Sequence, residues 1–294
     1  MRFVVTGATG FVGSALCADL IEKGHKVVAV SRNPEAASAQ LSGVEAIGWD
    51  DFAETLSTKT DAVVHLAGES VQGYWNDRKI ESVRSSRLTT TERVVSAIAQ
   101  AEAPPSVLVC ASGVGFYGSM GEAELTESHP AGDDYFAELC VEWEASAARA
   151  PCRSVMMRFG IVIGPGGGAL KTMLLPAKAG VSGPLGGGQQ WWSWVDIADA
   201  VGAVLHAVET EDIRGPVNVV APEPIRQADF NRVLCGLLGR PSFMPAPAFA
   251  LRLILGTFAS EILSSKRVMP RVLSESGFQW RRASLHESIE AAIG

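Results

Sequence analysis

No two cysteines in this 294-residue chain are spaced C-x-x-C, and the five present, Cys17, Cys110, Cys140, Cys152 and Cys235, are scattered. An odd, dispersed set makes no disulfide framework and suits a reducing compartment, so a cytoplasmic setting is expected. The five histidines are equally dispersed, without an H-x-x-x-H or Cys/His spacing that would bring two ligands to one ion, and no metal is expected. Runs of Lys and Arg are also missing, and 25 basic against 32 acidic residues leave a net charge of -7. That balance argues against a general affinity for nucleic acid or acidic membrane surfaces, both of which need clustered cations. Long apolar runs are absent too. The stretch 103–121 lacks charge but contains Pro104, Pro105 and four glycines, and reads as a buried strand and loop, not a membrane span. Met1-Arg2 leads straight into the apolar Phe3-Val4-Val5, so no signal-peptide pattern is expected there.

What is present is the composition of a globular domain, 47% hydrophobic and 19% charged. The length suits two domains, or one large α/β domain with a smaller lobe. Short apolar runs at 3–5, 27–30, 46–49, 62–66, 107–110 and 155–159 alternate with helix-period segments and read as strands. Between the first two, Val12, Leu16 and Leu20 recur every four residues and Gly24 ends the helix. Phe136, Leu139, Cys140, Trp143 and Ala147 place a second helix before Pro151. Runs buried on both faces and separated by helices imply a Rossmann-type doubly wound parallel sheet, an α/β fold. From Gly160 glycine is dense, three tryptophans crowd 191–194, and prolines precede an apolar helix expected at 249–258. We expect a dinucleotide-binding domain over 1–165, with a strand contributed from about 215–221, and a smaller C-terminal substrate lobe over 166–294.

The strongest motif is Thr6-Gly7-Ala8-Thr9-Gly10-Phe11-Val12-Gly13, directly after the first strand and at the start of a helix. Gly7 permits the tight turn, Gly10 lets the backbone approach a pyrophosphate, and Gly13 lets helix and strand pack closely. Thr9, Phe11 and Val12 complete the turn. The second strand ends at Val30-Ser31-Arg32-Asn33, where an NAD-selective site has an acidic residue for the ribose 2'-hydroxyl. None is there. Arg32 can form charge-assisted bonds to a 2'-phosphate and Ser31 can add a hydroxyl, which points to NADP(H) rather than NAD(H).

With these motifs the chain resembles the extended, atypical short-chain dehydrogenase/reductases, in particular the epimerase family group: an NAD-dependent epimerase/dehydratase-like part with a C-terminal segment of the DUF1731 type. The resemblance spans essentially the whole chain. It rests on residues 6–13, His65-Leu66-Ala67-Gly68-Glu69, Trp75 to Arg87, Gly113-Val114-Gly115-Phe116-Tyr117-Gly118, Arg158 to Gly164, Gln190 to Asp196, and Pro270 to Phe278. It implies that Leu66, Ala67 and Gly68 pass beneath the cofactor ribose, that Arg87 reaches the cofactor from the other side, and that Val162 lies near the nicotinamide. The plain alternatives are a helix-surface ion pair of Arg87 with Glu81 or Glu92, and core packing of Val162.

The chain departs from the superfamily where chemistry is usual. Members with known chemistry generally use Tyr-x-x-x-Lys, and none of Tyr74, Tyr117 and Tyr135 has Lys four residues later. In the register set by Trp143-Glu144, Phe136 and Cys140 take those positions, and Gly113 takes that of the usual serine. Candidate catalytic groups are therefore Tyr117, at the end of the fifth strand, with Ser112 and Tyr135 behind it; Lys79 and Glu69 also lie in reach. Gln190, Trp191 and Trp194 suit a planar or sugar-like ligand held by stacking and hydrogen bonds, or else seal the smaller lobe. Two functions stay open. One is an NADP(H)-dependent oxidoreductase or epimerase acting on an unknown small polar or sugar-nucleotide-like substrate. The other is a non-catalytic NADP(H)-binding regulatory or redox-sensing protein. The oligomeric state is also open.

Overall fold

The computed structural model describes all 294 residues. Seven parallel strands form the central sheet: β1 (Arg2–Thr6), β2 (Lys26–Val30), β3 (Glu45–Ile47), β4 (Ala62–His65), β5 (Val107–Gly113), β6 (Arg153–Phe159) and β7 (Gly215–Val219). Their order is β7-β6-β5-β4-β1-β2-β3. The order reverses between β1 and β4, and in open α/β sheets ligands bind in the crevice outside the strand C-termini at that point. The two glycine-bearing turns, after β1 and after β4, both open there.

Alternation along the strands explains why both faces are covered. Phe3 and Val5 of β1 enter one core with helix α1 (Phe11–Glu22), and Val4 enters the other. That second core takes one side of α2 (Asp77–Gln100) and α3 (Tyr135–Ala147), through Val94, Ile98, Trp143 and Ala147. Asn76 and Asp134 start these two helices by accepting from the N–H groups of Lys79 and Ala137, at 3.0 and 2.9 Å. Each fully buried aliphatic side chain contributes roughly 1.5–3 kcal/mol. All six strands expected from the sequence coincide with observed ones to within a few residues. The third is shorter, Glu45–Ile47, and Trp49 leaves it to pack on Phe52.

The chain after β6 holds α4 (Gly168–Lys178), α5 (Ile197–Glu209), α6 (Gln227–Leu237), α7 (Ala248–Leu255), α8 (Phe258–Leu263) and α9 (Leu285–Ile293). A third core, built on Leu170, Trp192, Trp194, Phe230, Leu234 and Ile289, lies among them. The apolar helix expected over 249–258 is two helices. Gly256 (φ 61°) breaks it, and a Cβ there would lie 2.2 Å from the Trp75 carbonyl oxygen. Around it Trp75 N–H donates to Leu255 O at 3.1 Å, so the C-terminal segment is stitched onto the loop after β4.

Candidate functional site

At the crevice, glycine is required by space as well as by angle. Gly7 sits at φ 69°, and a Cβ on it would meet the Leu66 carbonyl at 2.6 Å and Ala67 N at 2.7 Å. A Cβ on Gly13 would fall 2.2 Å from Gly7 O. The turns after β1 and β4 are thus in backbone contact, with Leu66, Ala67 and Gly68 beside the glycine loop. Helix α1 starts at Gly10 without a side-chain cap, so its first-turn N–H groups are free to meet an anion. Gln40 ties the loop from outside, donating to Thr9 O at 3.1 Å. Phe11 projects against Gly164, Gly167 and Gly168, and Gly168 in turn lies against Val162 O, which brings the β6 exit loop over the glycine turn.

A buried network holds the two turns in place. Thr91 donates its one hydroxyl proton to Arg87 O at 2.7 Å, so it accepts from His65 Nε2 at 3.0 Å and Trp143 Nε1 at 2.9 Å. His65 Nδ1 then accepts from Thr6 Oγ1 at 2.6 Å, whose oxygen also accepts from Ala67 N–H at 3.3 Å. That chain of donors needs a neutral imidazole, and burial lowers the His65 pKa to about 3.

Arg87 lies on the same helix face as Thr91, and its guanidinium packs where a Cβ on Gly68 would stand, 3.3 Å away. It donates to Glu69 O and Val83 O, both at 3.1 Å, and lies over the Trp143 ring. Burial pushes its pKa down, and it pairs with neither Glu81 nor Glu92, the latter being engaged by Arg149. Arg32 stands exposed at the end of β2, while the Ser31 hydroxyl closes a local turn on Asn33. Glu69 is held below the usual carboxylate range first by its bond to Lys79 (2.8 Å) and then by Arg32 and Arg87. Lys79 and Glu69 therefore satisfy each other at the rim.

The residues expected to do chemistry are placed differently. Tyr117 is fully buried: its hydroxyl donates to Asn218 Oδ1 at 2.7 Å and accepts from Arg158 Nη1 at 2.9 Å. Burial pushes its pKa up to about 12. Ser112 is buried and donates to Glu144 Oε1 at 2.6 Å, and Glu144 grips Arg158 through two bonds of 2.8 Å. Tyr135 donates to Ile80 O at 3.1 Å, turned toward α2. Sequence alone gave no sign of this because Glu144, Arg158 and Asn218 meet only when α3, β6 and β7 are assembled. Tyr117 and Ser112 are thus buried and Tyr135 half-buried, and each of the three hydroxyls donates a hydrogen bond within the protein.

The position of the usual tyrosine, Phe136, is packed on Trp75 and Phe258, and Cys140 at the lysine position donates toward Gly113 O at 3.7 Å. Burial raises the Cys140 thiol to about 12. Beside them comes a group the sequence reading missed. The Glu261 carboxylate of α8 lies 3.7 Å from where a Cβ on Gly115 would be, and Lys266 Nζ pairs with it at 2.9 Å. No spacing links these residues to β5; only the stitching of the C-terminal segment brings them there.

The tryptophan-rich strip is held by hydrogen bonds to backbone and to Glu122. Trp194 is buried and donates to Glu223 O at 3.1 Å, and buried Gln190 donates to Leu185 O at 3.1 Å. The Trp191 ring is flanked by Arg226 and Arg267, and its Nε1 donates to Glu122 at 2.9 Å. Trp194 belongs to the core of the smaller lobe and Gln190 is buried beside it, whereas Trp191 is half-buried under Arg226. Asp196 caps α5 through Ala198 N–H, whereas Asp199 accepts from the N–H groups of Arg281 and Arg282, at 2.6 and 3.0 Å.

A seven-stranded doubly wound sheet with a glycine turn at its reversal point and a lobe over the strand ends defines the extended dehydrogenase/reductase class of Rossmann fold. Residues 3–220 match the NAD dependent epimerase/dehydratase family and 246–292 match a domain of unknown function, DUF1731. The chain belongs to that epimerase/dehydratase family. It is 39% identical to the Bos taurus epimerase family protein SDR39U1, with both chains covered in full. The crystal structure of the human epimerase family protein SDR39U1 with NADPH superposes with a TM-score of 0.92 at 37% identity, covering 99% of each chain. The fold alone is shared with a UDP-glucuronic acid 4-epimerase from Bacillus cereus, at TM-score 0.77 and 18% identity over 99% of this chain and 98% of that one.

Proposed function

We propose that the protein is an NADP(H)-binding oxidoreductase or epimerase of the extended short-chain type, acting on a small polar substrate bound between the sheet and the C-terminal segment. The observation that carries this reading is the backbone cradle at Gly7, Gly10 and Gly13, which no side chain fills, with Arg32 exposed at the end of β2 and no carboxylate in its place. The crystallised human relative, which carries NADPH, supports the same cofactor. In this chain Gly7, Thr9, Gly10, Phe11 and Val12 would line the phosphates, Ser31 and Arg32 the 2'-phosphate, Leu66, Ala67 and Gly68 the ribose, and Arg87 and Val162 the nicotinamide end. Bound there, NADP(H) supplies hydride exchange with a carbon of the substrate. Proton exchange falls to solvent, because Tyr117, Ser112 and Tyr135 hold hydrogen bonds within the protein and Glu261 is paired with Lys266.

That same commitment favours one second reading, a protein that holds NADP(H) without turnover. Calorimetric titration of the cofactor-stripped chain with NADPH and NADH tests the shared premise. Arg32→Ala is expected to cost NADPH about 1.5–3 kcal/mol, the worth of a hydrogen bond to a charged group, and to leave NADH binding unchanged. Absence of NADPH binding to the wild type would overturn both readings. Retained NADPH with no consumption of it across a broad carbonyl and sugar-nucleotide screen would leave the second.

A further inference from the structure

The carboxylates of this chain avoid two segments altogether. Neither 160–195 nor 230–260 contains Asp or Glu, yet they hold Lys171, Lys178, Arg232, Arg240 and Arg252. The fold lays these segments side by side. Met244 N–H donates to Ser182 O at 3.3 Å, Ala246 N–H to Pro184 O at 2.9 Å and Gly186 N–H to Ala246 O at 2.8 Å. Helix α4 leads into this strip and α7 leaves it. Arg232 is paired with Asp229, but the other four cations have no ion-pair partner.

The same two segments carry most of the large apolar side chains that stand in solvent; only Met1, Val71, Tyr74 and Val141 lie elsewhere. On α4, Lys171, Leu175 and Lys178 are spaced four and three apart and share a face, with Leu175 77% exposed. On α7, Phe249, Arg252 and Leu253 do the same, with the two apolar tips 73% and 79% exposed. Val181, Phe243 and Met244 project from the strip between the helices.

We propose that this face docks on an anionic lipid bilayer surface, its apolar tips entering the headgroup boundary while the cations lie against phosphates. Side chains this exposed stand out from the surface, and two cavities of about 370 and 210 Å³ lie away from them, beside His206 and beside Ser288. A second copy packed through the same face would set unpaired cations against themselves. The net charge of -7 does not oppose docking, because at physiological salt charges beyond about 8 Å are screened and only the local excess is felt. The expectation drawn from the missing Lys/Arg run did not see this face, since its cations come from segments far apart in the chain.

The test is co-sedimentation of the full chain with phosphatidylcholine vesicles, with and without about 30 mol% phosphatidylglycerol, at about 0.1 M salt. The wild type is expected to pellet only with the anionic vesicles. Lys171→Glu/Arg252→Glu should weaken partition by more than roughly fivefold per cation, and Phe249→Asp/Leu253→Asp should abolish it. Val141→Asp, at an exposed position of α3, serves as a control that keeps binding. These sites are exposed, so circular dichroism should show native folding in every variant. No pelleting with anionic vesicles would overturn the proposal, as would equal pelleting by the α7 variant. A wild-type dimer that Phe249→Asp/Leu253→Asp dissolves, without vesicle binding, would assign the face to a second copy instead.

Discussion

Tyr117 shows how a residue can hold the right address and the wrong surroundings. It stands at the end of β5, where doubly wound folds place ligands, yet its hydroxyl joins Asn218 to an Arg158 that is itself gripped by Glu144. Removing one partner of a buried ion pair leaves an uncompensated charge, which costs about 3–5 kcal/mol. Glu144→Gln is therefore expected to lower unfolding free energy by about that amount, and Tyr117→Phe by about 1 kcal/mol, with NADPH affinity unchanged in both. A Tyr117→Phe variant that kept full stability but lost turnover would return the phenol to the chemistry. Arg87, by contrast, carried a readable signal: Val83, Arg87, Thr91, Val94 and Ile98 recur at helical spacing, so a charge falls on the buried stripe of α2.

The elements of the sheet were readable because each strand is a mostly apolar run buried on both faces, and the turns after β1 and β4 carry glycine. Of the C-terminal elements the strand at about 215–221 was readable too, but the break in the apolar helix was not, since it depends on a partner remote in the chain. Helix 249–258 looked continuous, for an apolar run says nothing of a break imposed by the backbone of Trp75. At Gly256 both the angle and the space exclude a side chain. Gly256→Ala is expected to destabilise the protein by several kcal/mol, combining left-handed strain with a clash against backbone. The Trp75 fluorescence should change with it, because that ring stacks on Phe258. An unchanged melting temperature would show that the stitch is dispensable.

At the scale of the whole molecule, the two family matches, 3–220 and 246–292, do not behave as separate bodies. Phe278 joins the main core, Asp199 accepts from the backbone of Arg281 and Arg282, and Trp280 donates to Val220 O. Stability of this single unit should depend on His65. The unfolded chain binds a proton below about pH 6.5, while the folded imidazole resists until about 3, so stability is lost as pH falls through that window, by at most about 1.4 kcal/mol per pH unit. Urea midpoints are expected to decline from pH 6.5 to 5 in the wild type and to flatten in His65→Asn. Equal slopes in the two proteins would place the proton elsewhere.

The pairing of Trp75 with Gly256 has a further consequence, for the order in which the chain is made. Synthesis runs from the N-terminus, and domains fold as their residues emerge. Here the glycine turn is complete by Gly13, but the Trp75 loop is anchored only when Leu255 to Thr257 arrive, and β7 comes only at Gly215–Val219. A nascent chain halted before residue 256 would carry the cofactor turn with its crevice open along one side and the Trp75 loop unanchored. Holding NADP(H) in finished form thus waits until Gly256 and its neighbours have been translated.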